Sequence, residues 1–102
     1  MVQELNFQPI NDRVPPQNLD AEEAILGGIL LDPEAIARVL DILRPEAFYL
    51  SAHQEVYRAC MALHNQNIPT DLMSVTTWLN DRGLLEKAGG QSKLVQIVDR
   101  TV

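Results

Sequence analysis

The side chains that could do chemistry are few and widely spaced. His53 and His64 lie eleven residues apart, a separation of roughly 16 Å along one helix, so they cannot share a metal ion. Cys60 is one helical turn from His64, but a structural zinc site needs four ligands, and the chain has one cysteine and two histidines. We interpret Cys60 as a small core residue and His64 as a cation near a helix carboxyl terminus.

Neither pair of adjacent glycines forms a phosphate-binding loop. Such a loop needs glycines followed by lysine and then by serine or threonine. Gly27 and Gly28 run directly into Ile29, and after Gly89-Gly90 the serine precedes Lys93 instead of following it. The sequence therefore predicts no nucleotide site, no catalytic residue and no cofactor in this chain.

Carboxylates gather at the start of the first predicted helix, where they suit the positive end of its dipole. Glu22 and Glu23 are sequence neighbours that are expected to point in different directions, which excludes a catalytic pair. We interpret these charges as solvated; the alternative is an acidic patch for a basic partner helix. The candidate partner-binding residues are Asp20, Glu22, Glu23, Asp71 and Lys93.

Composition limits the class of protein. The 102 residues, 46% of them hydrophobic, suffice for one compact domain. A formal net charge of -6 disfavours nonspecific nucleic-acid binding. The longest apolar run, Ala24 to Leu31, is shorter than the roughly 20 residues of a membrane span, and the amino terminus has no secretory signal. The single cysteine fits a reducing cytoplasm.

Helix start signals divide the first half of the chain. Residues 1–17 carry three prolines and no periodicity, which predicts a flexible leader. A first helix is predicted from the N-cap Asn18 to Leu31, and a second begins at the cap Asp32. The chain then restarts in a short turn at Pro45.

Capping signals also organise the second half. Ser51 and Gln54 match a capping box, and the helix that they open is predicted to reach Asn65. Its apolar stripes cover more than half of its circumference, so we expect it at the centre of the bundle. Asp71 is predicted to cap the next helix, which Gly83 ends in the left-handed conformation.

Glycines and aromatic residues suggest how the elements pack. Gly27 and Gly28 each cost about 1 kcal/mol relative to alanine inside a helix, which predicts close approach of another element and a loss of stability in Gly28→Leu. Phe48, Tyr49 and Trp78 are either core anchors or interface hot spots, and the sequence does not separate the two.

The last predicted helix follows Gly89-Gly90 and is still apolar at Val102, which indicates a piece of a longer protein. No segment alternates as a strand would. The predicted fold class is all-α, a compact bundle of about five to six short helices over residues 18–102.

Several motifs occur in a fixed order along the chain. They are Pro15 to Asp32, Phe48-Tyr49 with His53 close behind, Ile68 to Leu72, Gly83, and Gly89-Gly90 ahead of Leu94. Together they resemble the amino-terminal domain of DnaB-type bacterial replicative helicases, and the resemblance covers residues 15–102.

This resemblance implies a parent protein that forms a hexameric ring. Its carboxy-terminal motor, absent here, would hydrolyse ATP with magnesium and move on single-stranded DNA in the cytoplasm. The amino-terminal domain would pair with itself in a collar and dock the carboxy-terminal domain of primase, leaving DNA to the rest of the ring. The family's globular head is followed by a helical hairpin that this chain lacks. Binding of a helicase loader is left open.

Two other functions stay open. One is a module that guides single-stranded DNA within the same ring, for which salt-sensitive affinity for oligonucleotides would be the sign. The other is a free-standing helical protein-interaction adaptor. A reading frame that continues past Val102 into a phosphate-binding loop would exclude the adaptor.

Overall fold

A computed structural model describes residues 16–101, and every regular element in that range is helical. Five α-helices and one short 3-10 turn, Pro45–Ala47, follow one another along the chain. The helices are α1 (Pro16–Leu31), α2 (Ala35–Val39), α3 (Ser51–Asn65), α4 (Leu72–Asp81) and α5 (Gly90–Thr101). The predicted all-α fold is confirmed. None of the described helices combines the length and apolarity needed to cross a bilayer.

Helix α3 lies at the centre, as its two apolar stripes predicted. It packs against α1, α2, α4 and the 3-10 turn, and Val56, Tyr57 and Cys60 are fully buried on its inward face. The Tyr57 hydroxyl donates a hydrogen bond to the carbonyl oxygen of Leu43 at 2.7 Å, which ties the segment after α2 to the core. Burial raises the pKa of the Cys60 thiol to about 12, so the thiol is neutral at pH 7, as expected of a core residue.

Helices α1 and α5 cross closely, and one of the two adjacent glycines makes this possible. A Cβ atom on Gly27 would lie 2.8 Å from the Thr101 Cβ and 3.0 Å from the Ile97 carbonyl oxygen, well inside van der Waals contact. A Cβ atom on Gly28 would meet nothing within 4 Å. The prediction of close approach is confirmed for Gly27 and wrong for Gly28, because the two residues face different sides of α1.

The predicted N-cap of α1 is wrong. The helix already begins at Pro16, so Asn18 lies within it, and the last two residues of the predicted leader belong to the helix. Proline favours the first helical turn because its φ angle is fixed near the helical value and its missing N–H would have had no partner there. The remainder of the predicted leader, residues 1–15, lies outside the described residues.

Asp32 acts in a turn rather than as the N-cap of a long second helix. Its Oδ1 accepts a hydrogen bond from the backbone N–H of Glu34 at 3.2 Å, the local contact that aspartate often makes in turns. Helix α2 starts only at Ala35 and ends at Val39. Because this turn occupies Pro33 and Glu34, the helix starts two residues later than predicted.

The predicted capping box at Ser51 is also wrong. Ser51 is the first residue of α3, and no side chain caps that helix. The Gln54 side-chain amide instead donates to the carbonyl oxygen of Phe48 at 2.8 Å, and the Gln54 backbone N–H bonds to the Leu50 carbonyl oxygen. The capping box required the Gln54 side chain to bond to the backbone of Ser51. That side chain bonds instead to Phe48, three residues before the helix.

The signals around α4 were predicted correctly. The Asp71 carboxylate accepts a hydrogen bond from the backbone N–H of Ser74 at 2.8 Å and so caps the helix. Gly83 follows the helix with a φ angle of 69°, the left-handed conformation that glycine adopts without steric cost. The cap shows that the Asp71 carboxylate has a structural role.

Candidate functional site

His53, in the first turn of α3, lies between two consecutive carboxylates of α1. Its Nδ1 atom is 2.7 Å from Glu22 Oε1, and its Nε2 atom is 3.7 Å from Glu23 Oε2. The imidazole ring is fully buried, and Nε2 has no hydrogen-bond partner among the described residues. Glu22 and Glu23 therefore converge on one ring, and the expectation that they point apart is wrong.

Glu22 also fixes the chain that leads into α3. Its Oε2 atom accepts a hydrogen bond from the backbone N–H of Tyr49 at 2.6 Å. The neighbouring Phe48 is buried and stands edge-on to His53, with 6.4 Å between the ring centroids. The Tyr49 side chain is 53% exposed. Phe48 is thus the core anchor that the sequence allowed, and Tyr49 is not.

Glu23 ties α5 to α1. Only 6% of this residue is exposed, and its carboxylate accepts hydrogen bonds from Lys93 Nζ and, at 2.8 Å, from Arg100 Nη1. Arg100 Nη2 donates at 2.9 Å to Asp20 Oδ1, and this hydrogen bond raises the pKa of the Arg100 guanidinium above its usual value. We call these residues the charge network: Asp20, Glu22, Glu23, His53, Lys93 and Arg100.

The histidine and two of the carboxylates of the charge network are shielded from solvent. A catalytic acid or base must lie within hydrogen-bond reach of a substrate, but His53 is fully buried and the side chains of Glu22 and Glu23 are only 13% and 8% exposed. Within residues 16–101, no three histidine, cysteine or acidic side chains are placed to hold a metal ion. The ion pairs and hydrogen bonds of the charge network join α1, α3 and α5.

Four of the five candidate partner-binding residues meet in this network. Asp20, Glu22, Glu23 and Lys93 all engage charged or polar groups of the same chain, and the fifth, Asp71, lies apart as the cap of α4. The interpretation of Glu22 and Glu23 as solvated charges is wrong. Of the four, Asp20 keeps an exposed side chain, at 58%.

The helical spacing of His53 and Glu23 indicates from sequence alone that both residues are buried. His53 precedes Val56, Tyr57 and Cys60 at intervals of three, four and seven residues, so it lies on the buried face of α3. Glu23 stands three residues before Leu26 on the buried face of α1. Polar residues at apolar positions of a helix indicate a buried, paired charge, because an unpaired one would be too costly.

Burial does not decide between the two roles that the sequence allowed for Trp78. It is half-buried on α4, and the guanidinium carbon of Arg82 lies 4.0 Å from its ring centroid. The Arg82 guanidinium also donates to the Trp78 carbonyl oxygen at 3.3 Å. Cation–π contact of this kind holds the arginine over the indole.

Comparisons with known proteins agree on one family. The model of the DnaB-like helicase N terminal domain matches residues 14–102. A replicative DNA helicase DnaB from Nostoc sp. is 60% identical over 103 residues, covering 100% of this chain and 12% of the relative. The replicative DNA helicase DnaC of Bacillus subtilis is 43% identical over 90 residues, covering 88% of this chain and 20% of the relative.

A solved structure shows the same fold. The crystal structure of the N-terminal domain of DnaB helicase from Mycobacterium tuberculosis superposes with a TM-score of 0.78 at 46% sequence identity. The match covers 87% of this chain and 61% of that one. The present chain thus spans a small part of the two helicases described above and most of a solved amino-terminal domain.

Proposed function

The chain belongs to the DnaB-like helicase N-terminal domain family, and we propose that it is the non-catalytic assembly and primase-docking domain of a hexameric replicative helicase. In this proposal the parent protein unwinds DNA with ATP and magnesium bound outside these residues. The domain pairs with copies of itself in the ring and binds the carboxy-terminal domain of primase.

The observation that carries this proposal is that most lysine and arginine side chains within residues 16–101 already have a partner in the same chain. Within residues 16–101, every lysine and arginine except Arg44 contacts a carboxylate or, in the case of Arg82, the Trp78 ring. The whole chain has a net charge of -6. A surface with so little unpaired positive charge attracts a polyanion poorly. This favours protein partners over the alternative of a guide for single-stranded DNA.

Exposed apolar side chains support the same proposal. Met73 is 78% exposed and Ile68 38%. Side chains of this size give contact area to a partner protein, whereas the charge network is already occupied. We therefore place the proposed docking surface on these two exposed apolar residues and not on the acidic start of α1.

Sedimentation velocity of the chain, alone and mixed with the carboxy-terminal helical domain of primase, tests the proposal. We expect a faster-sedimenting complex in the mixture. A parallel titration with a single-stranded oligonucleotide at low and high salt tests the alternative. Two independent boundaries with primase, together with salt-sensitive binding of the oligonucleotide, would overturn the docking function in favour of the DNA guide.

A further inference from the structure

A groove runs along α4, and none of the residues that line it belongs to the charge network. Its cavity, about 390 Å³ in volume, lies between α4 and the end of α3. At Ile68 it joins a wider cleft of about 750 Å³ that extends to the turn before α2. We call this surface the α4 groove and define it by Leu63, Ile68, Met73, Trp78 and Asp81.

The walls of the α4 groove are apolar and accessible. Met73 is 78% exposed and Ile68 38%, and the half-buried Trp78 also lines the groove. Methionine is flexible and polarisable, so it adapts to the shape of an incoming apolar side chain. Exposed apolar groups that share one concave surface are typical of a protein-binding site.

The unpaired charges along the groove are negative. Asp81, in the groove, and Glu34, in the adjoining cleft, form no ion pair within residues 16–101, although both are exposed. The two nearby guanidinium groups are engaged, since Arg38 pairs with Asp32 at 3.5 Å and Arg82 lies over Trp78. An occupant that places lysine or arginine at the two ends would complement these carboxylates.

We propose that the α4 groove binds an amphipathic helix of a partner protein, with an apolar stripe against Met73 and Trp78 and basic residues toward Asp81 and Glu34. This inference rests on the proposed docking function and assigns it a surface and a partner chemistry. Helices commonly dock in this way, with apolar anchors in a groove between two other helices. A second copy of the chain fits this groove poorly because, within residues 16–101, its lysine and arginine side chains other than Arg44 are already engaged.

The single tryptophan of the chain, Trp78, reports on the groove directly. The probe is a tryptophan-free peptide of 18 leucine and lysine residues with its leucines at helical spacing, titrated while Trp78 fluorescence is followed. We expect saturable binding, weakened about tenfold in Met73→Ser and several-fold in Asp81→Asn; tenfold corresponds to about 1.4 kcal/mol. Ile42→Ser, which removes an equally exposed apolar group elsewhere, is the matched control and should bind as the unmodified chain does.

Several results would overturn the groove assignment. They are equal binding of a scrambled peptide with the same composition, no effect of Met73→Ser, or a loss in Ile42→Ser as large as that in Met73→Ser. A dimer of the chain that dissociates on Met73→Ser would also overturn it, since a second copy would then be the occupant.

If the primase domain binds Met73→Ser and unmodified chain alike, the groove proposal fails while docking stands. If only the peptide binds, docking to primase fails and the groove stands.

Discussion

Replacing Glu23 with glutamine is expected to lower the free energy of unfolding by about 2–3 kcal/mol, because it removes the charge that holds Lys93 and Arg100 to α1. Breaking a buried ion pair costs about 3–5 kcal/mol. Lys93 and Arg100 have side chains that are 25% and 48% exposed, so water can solvate them again and the expected cost falls below that of a fully buried pair. Urea denaturation followed by circular dichroism measures this change.

Asp20→Asn is the matched control for this prediction. It removes a carboxylate that binds the same Arg100 guanidinium at 2.9 Å, but the Asp20 side chain is 58% exposed. An exposed pair contributes at most about 1 kcal/mol, so this variant should unfold nearly as the unmodified chain does. Equal losses in Glu23→Gln and Asp20→Asn would show that burial does not set the strength of the network.

Replacing Gly27 with leucine is expected to separate α5 from α1 or to abolish folding. Even a Cβ atom there would overlap Thr101 and lie too close to the Ile97 carbonyl oxygen. Because this oxygen belongs to the backbone of α5, the close contact is relieved only if the two helices move apart. Overpacking typically costs about 1–3 kcal/mol for added methylenes in a core, and a leucine adds several at a helix crossing. Thermal melting measures the loss, and Gly27→Ala gives a smaller, measurable one if Gly27→Leu does not fold.

Gly28 supplies the control one residue away. Its side chain would enter open space, so Gly28→Ala should gain about 0.5–1 kcal/mol from helix propensity alone, which in a domain of this size raises the melting temperature by roughly 2–8 °C. The Gly28→Leu variant should fold, contrary to the expectation from sequence. Destabilisation of Gly28→Ala as severe as that of Gly27→Ala would contradict the packing described for α1.

Sequence predicted the elements where local chemistry decides the structure. Asp71 and Gly83 bound α4 as expected, since a cap and a left-handed glycine depend on residues within a few positions. The capping box at Ser51 failed because the carbonyl oxygen of Phe48 took the Gln54 side chain. That contact depends on how the 3-10 turn folds back on α3, which the local pattern does not encode.

The candidate site was harder to predict than the fold. From sequence alone, acidic residues at a helix start are interpreted as solvated, and this describes Asp20, whose side chain is 58% exposed. For Glu22 and Glu23 it fails because His53, Lys93 and Arg100 come from helices 30 to 77 residues away. The helical spacing of His53 marks it as buried, but only the packing of α3 and α5 against α1 identifies its partners.

The consequence for function is a division between two surfaces. Four of the five charged residues that the sequence suggested for a partner form the charge network, and we propose that the apolar groove along α4 serves for docking. The same division explains how an acidic domain with few unpaired cations would still bind protein partners.

Hydrogen–deuterium exchange of the chain, free and saturated with the carboxy-terminal domain of primase, tests this division most directly. The account predicts slower exchange on binding in α4 and in residues 66–71, with the segments around Glu23 and Arg100 unchanged. Protection confined to the start of α1 and to α5, with none in α4, would contradict it.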